Sequence, residues 1–245
     1  MISVLNLHKT LGTQEVLSGV NITIKRGHTH VILGRSGSGK SVLLKHLVGL
    51  FQPDTGQVLV DGEDIARLKE RQLGPIRKKV GILFQSGALF DSMTVGENIA
   101  FPLKEAGVVD PEALRARVAE ALDMVDLSGE EEKMPENLSG GMRKRVGLAR
   151  TIVSRPACIL YDEPTTGLDP IATDSINHLI RRLQKKLQAT SVVVTHDMKT
   201  AFHTADRIAF LHEGKIYFDG SPQELHNSTD PILRNFVEGN SGETD

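Results

Sequence analysis

The sequence predicts an α/β fold in which a phosphate-binding loop joins a buried strand to a helix, and three observations carry this prediction. A glycine-rich loop, Gly34 to Ser41, follows the apolar Val31-Ile32-Leu33 and precedes apolar residues at helical spacing. Short strands punctuated by turns occupy the chain to about residue 85. Strand and helix patterns alternate again from residue 157, which indicates a mostly parallel sheet.

The elements before residue 157 divide into strands and then helices. Residues 1–7 and 20–24 alternate as strands do, and a strand at residues 58–60 runs into Asp61-Gly62, a strong hairpin signal. Residues 92–156 change to a helical pattern: Thr94 to Glu97 matches a capping box, and Asp110-Pro111 begins a further helix. We therefore expect a β-rich end followed by an inserted helical lobe.

The remaining elements return to the alternating pattern. Strands are predicted at residues 158–161 and 191–195, with a helix after Asp169-Pro170 between them. A hairpin around Glu213-Gly214 and two short helices near Pro222 and Pro231 follow, and the tail from Gly239 is expected to fray. The last helix either docks a neighbouring subunit or packs on its own core; its apolar residues are Ile232, Leu233, Phe236 and Val237.

The composition is that of an ordinary soluble globular protein, with 245 residues, 39% hydrophobic and 24% charged. A formal net charge of -2 gives no overall attraction to nucleic acid, which is therefore not an expected partner. The single cysteine, Cys158, lies in an apolar run and predicts a core thiol in a reducing compartment. No apolar run approaches the ~18 residues of a membrane span. The chain is thus expected in the cytoplasm, reaching a membrane only through a partner.

The loop from Gly34 to Ser41 has the chemistry of a nucleotide phosphate site. Its glycines let backbone N–H groups approach an anion at the positive end of a helix. We expect Lys40 to reach the β- and γ-phosphates and the Ser41 hydroxyl to coordinate Mg²⁺. The alternative is a flexible Gly/Ser turn, and the flanking strand and helix argue against it.

Polar side chains also follow three other predicted strands. Asp162 is expected to hold Mg²⁺, and Glu163 to orient the attacking water as general base. His196 is placed to contact a γ-phosphate. Gln85, which follows a strand predicted at residues 80–84, is placed to bind Mg²⁺ or the attacking water. Taken alone, the acidic pair also suits a helix cap, the histidine a structural role and the glutamine a solvated turn.

A second element suited to bind a phosphate lies at Leu138 to Met142, directly before the helical run of residues 143–152. Ser139 is expected to cap this helix, and the two glycines after it expose N–H groups. A simple helix start is the alternative. A chain with two such phosphate-binding elements either binds two phosphates or uses one of the two elements to bind a phosphate held by a neighbouring copy.

This ordered set of motifs resembles the ATPase subunit of an ABC transporter over nearly the whole chain. On that resemblance Gly34 to Ser41 is the Walker A loop and Leu138 to Met142 the signature. Ile159 to Glu163 is the Walker B strand, and Gly167-Leu168-Asp169 is the D-loop region. The resemblance implies ATP and Mg²⁺ as cofactors. It gives catalytic roles to Glu163, His196 and Gln85, metal ligation to Ser41, Gln85 and Asp162, and nucleotide binding to Gly34, Arg35, Ser36, Gly37, Ser38, Gly39, Lys40, Ser41, Val42, Ser139, Gly140 and Gly141.

The family fold implied is a P-loop NTPase domain with a mixed core sheet, an antiparallel β subdomain and an inserted helical subdomain. The domain would span residues 1–239, with residues 1–90 and 157–225 as the nucleotide-binding core and 91–156 as the helical subdomain. Residues 226–245 would form a C-terminal helical extension and tail.

The family also implies how the chain would assemble. ATP bound by Walker A of one copy would be closed over by the signature of a second copy in a head-to-tail dimer, and closure would drive an integral membrane permease. The helical subdomain would contact that permease, placing the chain peripherally on the cytoplasmic face of a bacterial inner membrane.

Two departures and three similar segments narrow the subfamily. Leu11 stands where the family usually has an aromatic ring to stack on adenine, and Met142 where glutamine is commoner. Residues 39–45, 141–150 and 228–239 resemble the ATPase subunits of phospholipid transporters that maintain outer-membrane lipid asymmetry in Gram-negative bacteria. That resemblance implies an MCE-domain substrate-binding protein and a small STAS-domain subunit as partners. The alternatives are a permease for another solute such as an organic solvent, a soluble ABC ATPase, and a plain P-loop kinase.

Overall fold

The computed structural model describes residues 1–240, in which two sheets and nine α-helices share two cores. The central sheet has the strand order β10-β9-β3-β8-β7-β6. Strands β9, β3, β8, β7 and β6 run parallel, and β10 pairs antiparallel with β9. Their bounds are β3 (Thr29–Leu33), β6 (Val80–Leu83), β7 (Cys158–Asp162), β8 (Thr190–Thr195), β9 (Arg207–His212) and β10 (Lys215–Gly220).

A second sheet is antiparallel, with the order β2-β1-β4-β5. Ile2 pairs with Ile24 on one side and Val60 on the other, which fixes the register of the three long strands. The predicted hairpin at Asp61-Gly62 is confirmed, because β4 returns there as β5. The strands are β1 (Ile2–Leu11), β2 (Gln14–Ile24), β4 (Thr55–Val60) and β5 (Glu63–Asp64).

Helices cover the central sheet, and most begin at the caps that the sequence indicates. Thr94 makes the expected capping box, while Asp110, Asp169 and Asp230 accept hydrogen bonds from the first turns of their helices. The helices are α1 (Lys40–Leu47), α2 (Gly74–Lys79), α3 (Val95–Glu105), α4 (Pro111–Met124), α5 (Gly140–Ile152), α6 (Pro170–Leu187), α7 (Met198–Thr204), α8 (Pro222–His226) and α9 (Pro231–Glu238).

The two faces of the central sheet bury different cores because successive strand side chains point to opposite faces. Ile159 and Tyr161 of β7 pack with the helices α3 to α6. Cys158 and Leu160 pack on the other face with α1 and the antiparallel sheet. The prediction that Cys158 is a core thiol is confirmed, since it is fully buried. The parallel strands all end at one sheet edge, which collects the loops of the site.

The last helix packs on the protein's own core. Leu233 is 4% exposed, and the ring of Phe236 lies 4.7 Å from that of Phe210 in β9. The expected fraying from Gly239 is wrong for two residues, because Gly239 and Asn240 donate backbone hydrogen bonds back to α9. The rest of the predicted tail, residues 241–245, lies outside the described part of the chain.

Two short helices went unpredicted. In α2 only Ile76 is buried, and α7 buries Thr200, Ala201 and Thr204, so neither presents an apolar stripe to reveal it. Between residues 1 and 240, no helix is both long enough and apolar enough to cross a membrane.

Candidate nucleotide-binding site

The glycine-rich loop connects β3 to α1 as predicted, and two of its glycines, Gly34 and Gly39, leave no room for a side chain. A Cβ on Gly34 would lie 2.6 Å from the carbonyl oxygen of Leu211, so no larger side chain fits without a shift. Gly39 is the N-cap residue of α1 with φ 97°, a left-handed conformation that costs L-residues free energy. The loop therefore holds a tight curve at the positive end of a helix.

Lys40 is the first residue of α1 and is 5% exposed. Its ammonium donates to the carbonyl oxygens of Gly34 at 2.9 Å and Arg35 at 2.8 Å, and lies 3.7 Å from the carboxylate of Glu163. Burial lowers the pKa of Lys40, while the nearby Glu163 and Asp162 carboxylates act in the opposite direction. The side chain thus places one cation at the centre of the loop.

Two oxygen groups from different elements meet beside Lys40. The Ser41 hydroxyl donates to Oδ1 of Asp162 at 2.7 Å, which joins the start of α1 to the end of β7. The Ser41 hydroxyl, the Asp162 carboxylate and the amide of Gln85, which lines the same cavity as Ser41, are the hard oxygen donors that Mg²⁺ prefers, so these residues fit that ion. The Ser38 hydroxyl is buried and has no hydrogen-bond partner among the described residues, which fits a phosphate oxygen as its missing partner.

Glu163 follows β7 directly and is held by contacts with three residues, His196, Thr166 and Val194. Its carboxylate oxygen Oε2 lies 2.9 Å from Nδ1 of His196, which follows β8, and accepts from the Thr166 hydroxyl at 3.2 Å. Its backbone N–H donates to the carbonyl oxygen of Val194 at 2.9 Å. The residue is 9% exposed, so a nearly buried carboxylate faces Lys40 and His196 together.

Lys144 of α5 was missed as a site residue. Its ammonium donates to the backbone carbonyl oxygen of Gln85 and, at 3.4 Å, to that of Glu163. Burial lowers the pKa of Lys144, and the Glu163 and Asp162 carboxylates oppose that shift. The sequence showed only a basic run, Arg143-Lys144-Arg145, without indicating which cation points inward.

A cavity of about 470 Å³ gathers these groups. It also includes Val16 and Thr166, which sequence reasoning missed, and Leu11, which is 41% exposed at the position expected to face adenine. The predicted residues that line it are Ser36, Gly37, Gly39, Lys40, Ser41, Val42, Gln85, Glu163 and His196. Gly34, Arg35 and Ser38 belong to the same loop, and Asp162 joins it through Ser41.

The signature residues lie elsewhere. Ser139 accepts a hydrogen bond from the Met142 N–H at 3.2 Å and caps α5 as predicted. In the described chain, Ser139, Gly140 and Gly141 are not among the residues that line the cavity. Ser139 is exposed, so the N-terminus of α5 is available to a group outside this chain.

Comparisons with known proteins agree with this geometry. The family model described as "ABC transporter" matches residues 17–166. The chain is 41% identical over 238 residues to the probable ribonucleotide transport ATP-binding protein mkl of Mycobacterium tuberculosis. The matched region covers 97% of this chain but 66% of that relative, which is just under two thirds of its length. The chain is also 39% identical over 241 residues to the intermembrane phospholipid transport system ATP-binding protein MlaF of Haemophilus influenzae, covering 98% of this chain and 91% of MlaF.

A solved structure matches the fold over most of the chain. It is the ATP-binding cassette MJ0796, a dimer in a post-hydrolysis state bound to ADP and Pi. It superposes with a TM-score of 0.83 at 34% sequence identity and covers 90% of this chain and 98% of that one. The predicted fold class, a nucleotide-binding cassette with an antiparallel sheet and helices, is therefore confirmed.

Proposed function

The chain belongs to the ABC transporter family. On this premise we propose that it is an ATPase, and that two copies of it power phospholipid transport between the inner and outer membranes of a Gram-negative bacterium. The observation that carries the catalytic part is the meeting of Lys40, Glu163 and His196 in one cavity with the Ser41–Asp162 pair. These groups come from three separate segments of the chain, residues 40–41, 162–163 and 196, and phosphoryl transfer needs them together.

The binding step begins from the contacts that Lys40 now makes. When ATP enters, its phosphate oxygens replace the Gly34 and Arg35 carbonyls as acceptors for the Lys40 ammonium. Ser41, Asp162 and Gln85 would hold Mg²⁺, which neutralises charge on the β- and γ-phosphate oxygens when bound. The free hydroxyl of Ser38 donates to a phosphate oxygen.

The hydrolytic step uses Glu163 as the general base. Its carboxylate turns from His196 and Lys40 to accept a proton from the attacking water. His196 then donates to the γ-phosphate, and Gln85 orients the water or the ion. Both residues lie at the ends of parallel strands, where ligands of such sheets bind.

The site is completed by a second copy. In a two-fold arrangement the exposed N-terminus of α5, with Ser139, Gly140 and Gly141, covers the γ-phosphate held by the partner's loop. A site shared between two copies explains why one chain carries two phosphate-binding elements, the glycine-rich loop and the Ser139 helix start, that do not meet within it. The two copies close on ATP, and this closure drives the permease. Hydrolysis then reopens the two copies.

The proposed cargo rests on the likeness to MlaF, which extends over nearly all of both chains. On this proposal the helical subdomain, residues 91–156, docks an integral permease at the cytoplasmic face of the inner membrane. An MCE-domain protein and a small STAS-domain subunit complete the transporter.

A second candidate is the same motor on a permease for another solute. The observation that favours it is the 41% identity to a relative named for ribonucleotide transport. The two candidates share the whole ATPase mechanism and differ only in the partners.

The test is purification of the tagged chain from its native membranes in mild detergent, with co-purifying proteins and lipids identified by mass spectrometry. An untagged strain is the control. We expect a permease, an MCE-domain protein and bound phospholipid. A permease without an MCE-domain protein or phospholipid would overturn the lipid cargo, and recovery without any membrane protein would overturn the transport role.

A further inference from the structure

Three exposed side chains converge on α6 and α7, apart from the nucleotide cavity. Asp174 and His178 lie one turn apart on α6, and His203 lies near the end of α7. The two imidazole rings meet edge to face with their centroids 4.3 Å apart. One ligand atom from each of the three residues lies within 4.8 Å of the others.

The spacing of the two imidazoles suits a transition-metal ion. Nδ1 of His178 lies 3.3 Å from Nε2 of His203. Two nitrogens bound tetrahedrally to zinc at ~2.0–2.1 Å are themselves about 3.3 Å apart. An ion can therefore bind both rings without moving either helix, in place of the hydrogen bond that the two rings now share.

Asp174 supplies the third ligand and the negative charge. Its Oδ2 lies 3.5 Å from Nε2 of His178, the nitrogen of that ring that does not face His203, so the exposed carboxylate rotates toward Nδ1 to bind the same ion. We propose that Asp174, His178 and His203 bind one divalent transition-metal ion of the zinc class, with water completing its coordination. Two imidazoles select such an ion over Mg²⁺, which prefers oxygen ligands.

The bound ion would clamp α6 to α7. The second of these helices begins at Met198, two residues after His196, and the first begins directly after Asp169. Because the ion binds the folded arrangement of both helices, it stabilises the native protein against unfolding. One of the three ligands, His203, lies in the helix that follows His196, yet the site uses none of the cavity's residues.

The test is a calorimetric titration of zinc chloride into the chelator-treated, nucleotide-free protein, with melting temperature as a second readout. We expect one equivalent of zinc to bind and to raise the melting temperature. His178→Gln and His203→Gln should each weaken that binding at least about tenfold, since loss of an outer partner alone costs about 10- to 100-fold. Asp174→Asn should weaken it as well.

The matched control is His28→Gln, which removes another exposed imidazole outside the cluster. It should bind zinc and respond in melting temperature like the wild type. Circular dichroism checks that each variant is folded. Zinc binding of wild-type strength in His203→Gln, or an equal loss in His28→Gln, would overturn the proposed site.

Discussion

Glu163 is the residue on which the proposed chemistry depends, and both its backbone and its side chain are constrained. Its φ of 48° is left-handed, a conformation that costs a non-glycine residue about 1 kcal/mol or more. The hydrogen bond to Val194 and the contacts with His196, Thr166 and Lys40 hold it there. The strained backbone directs the carboxylate into the cavity.

We predict that Glu163→Gln lowers steady-state ATP hydrolysis by about 100-fold or more, because an amide cannot accept the proton of the attacking water. ATP binding should persist, since Lys40 and Ser41 are unchanged. Phosphate release and binding of a fluorescent ATP analogue measure the two effects. Glu63→Gln, which changes an exposed glutamate at the start of β5, is the control and should behave as wild type. Near-normal turnover in Glu163→Gln would remove this residue as the base.

Lys144 gives a prediction about positioning. Lys144→Met removes the cation that joins the backbone carbonyls of Gln85 and Glu163. Both acceptors lose that donor, the Glu163 contact in a buried place and the Gln85 contact in a partly buried one. We expect a loss of about 1–3 kcal/mol in the free energy of unfolding and a lower kcat with little change in ATP binding. Urea unfolding and steady-state kinetics measure these, and Lys144→Arg, which keeps the charge, should recover part of both. Wild-type stability and kcat in Lys144→Met would contradict the role.

At the scale of elements, the end of α4 is tied to two other helices through one carboxylate. Oδ2 of Asp126 accepts from Arg145 of α5 and from Arg182 of α6, each at 2.7 Å. The same arginines donate to the carbonyl oxygens of Val125 and Met124 at the end of α4. The helical insertion is thereby joined to α6, which belongs to the proposed nucleotide-binding core.

The contacts of Asp126 with two arginines predict that the free energy of unfolding depends on pH. Hydrogen bonds from Arg182 and Arg145 hold the pKa of Asp126 below its ordinary value. Because the folded pKa is the lower one, the stabilisation is present at neutral pH and is lost as the pH falls below the unfolded value of about 3.9. Asp126→Asn should therefore reduce the free energy of unfolding by about 0.2–1 kcal/mol at pH 7, as exposed ion pairs do.

Urea unfolding of wild type and Asp126→Asn at pH 7 and near pH 3 measures this dependence, because the lower pH lies below the unfolded pKa. The difference between the two proteins should shrink at the lower pH. Asp123→Asn, which changes an exposed aspartate one turn earlier on α4, serves as the control. An undiminished difference near pH 3 would show that the effect of Asp126→Asn is not electrostatic.

At the scale of the whole molecule, the sequence predicted the parts of the site better than the contacts between them. The loop, the acidic pair, Gln85 and His196 were predictable because each follows a strand with a clear apolar pattern. The contact of His196 with Glu163 depends on β7 and β8 being neighbours, which strand order along the chain does not specify. Lys144 was hidden because three basic residues in a row give no periodicity that separates a buried one from its neighbours.

The folded chain presents half of each proposed site. Its cavity holds the glycine-rich loop and the proposed base, Glu163, while the Ser139 helix start is exposed and is not among the residues that line that cavity. A single copy therefore has a phosphate-binding surface that remains open on one side. ATP should join two copies, and loss of the γ-phosphate should release them.

The most direct test of this account is the mass of Glu163→Gln, measured by light scattering with MgATP, with MgADP and without nucleotide. We predict a dimer with MgATP only, and a monomer with MgATP when Ser139→Arg is added, although the double variant still binds ATP. A monomer in every condition, or an ATP-induced dimer that persists with Ser139→Arg, would contradict a site shared between two copies.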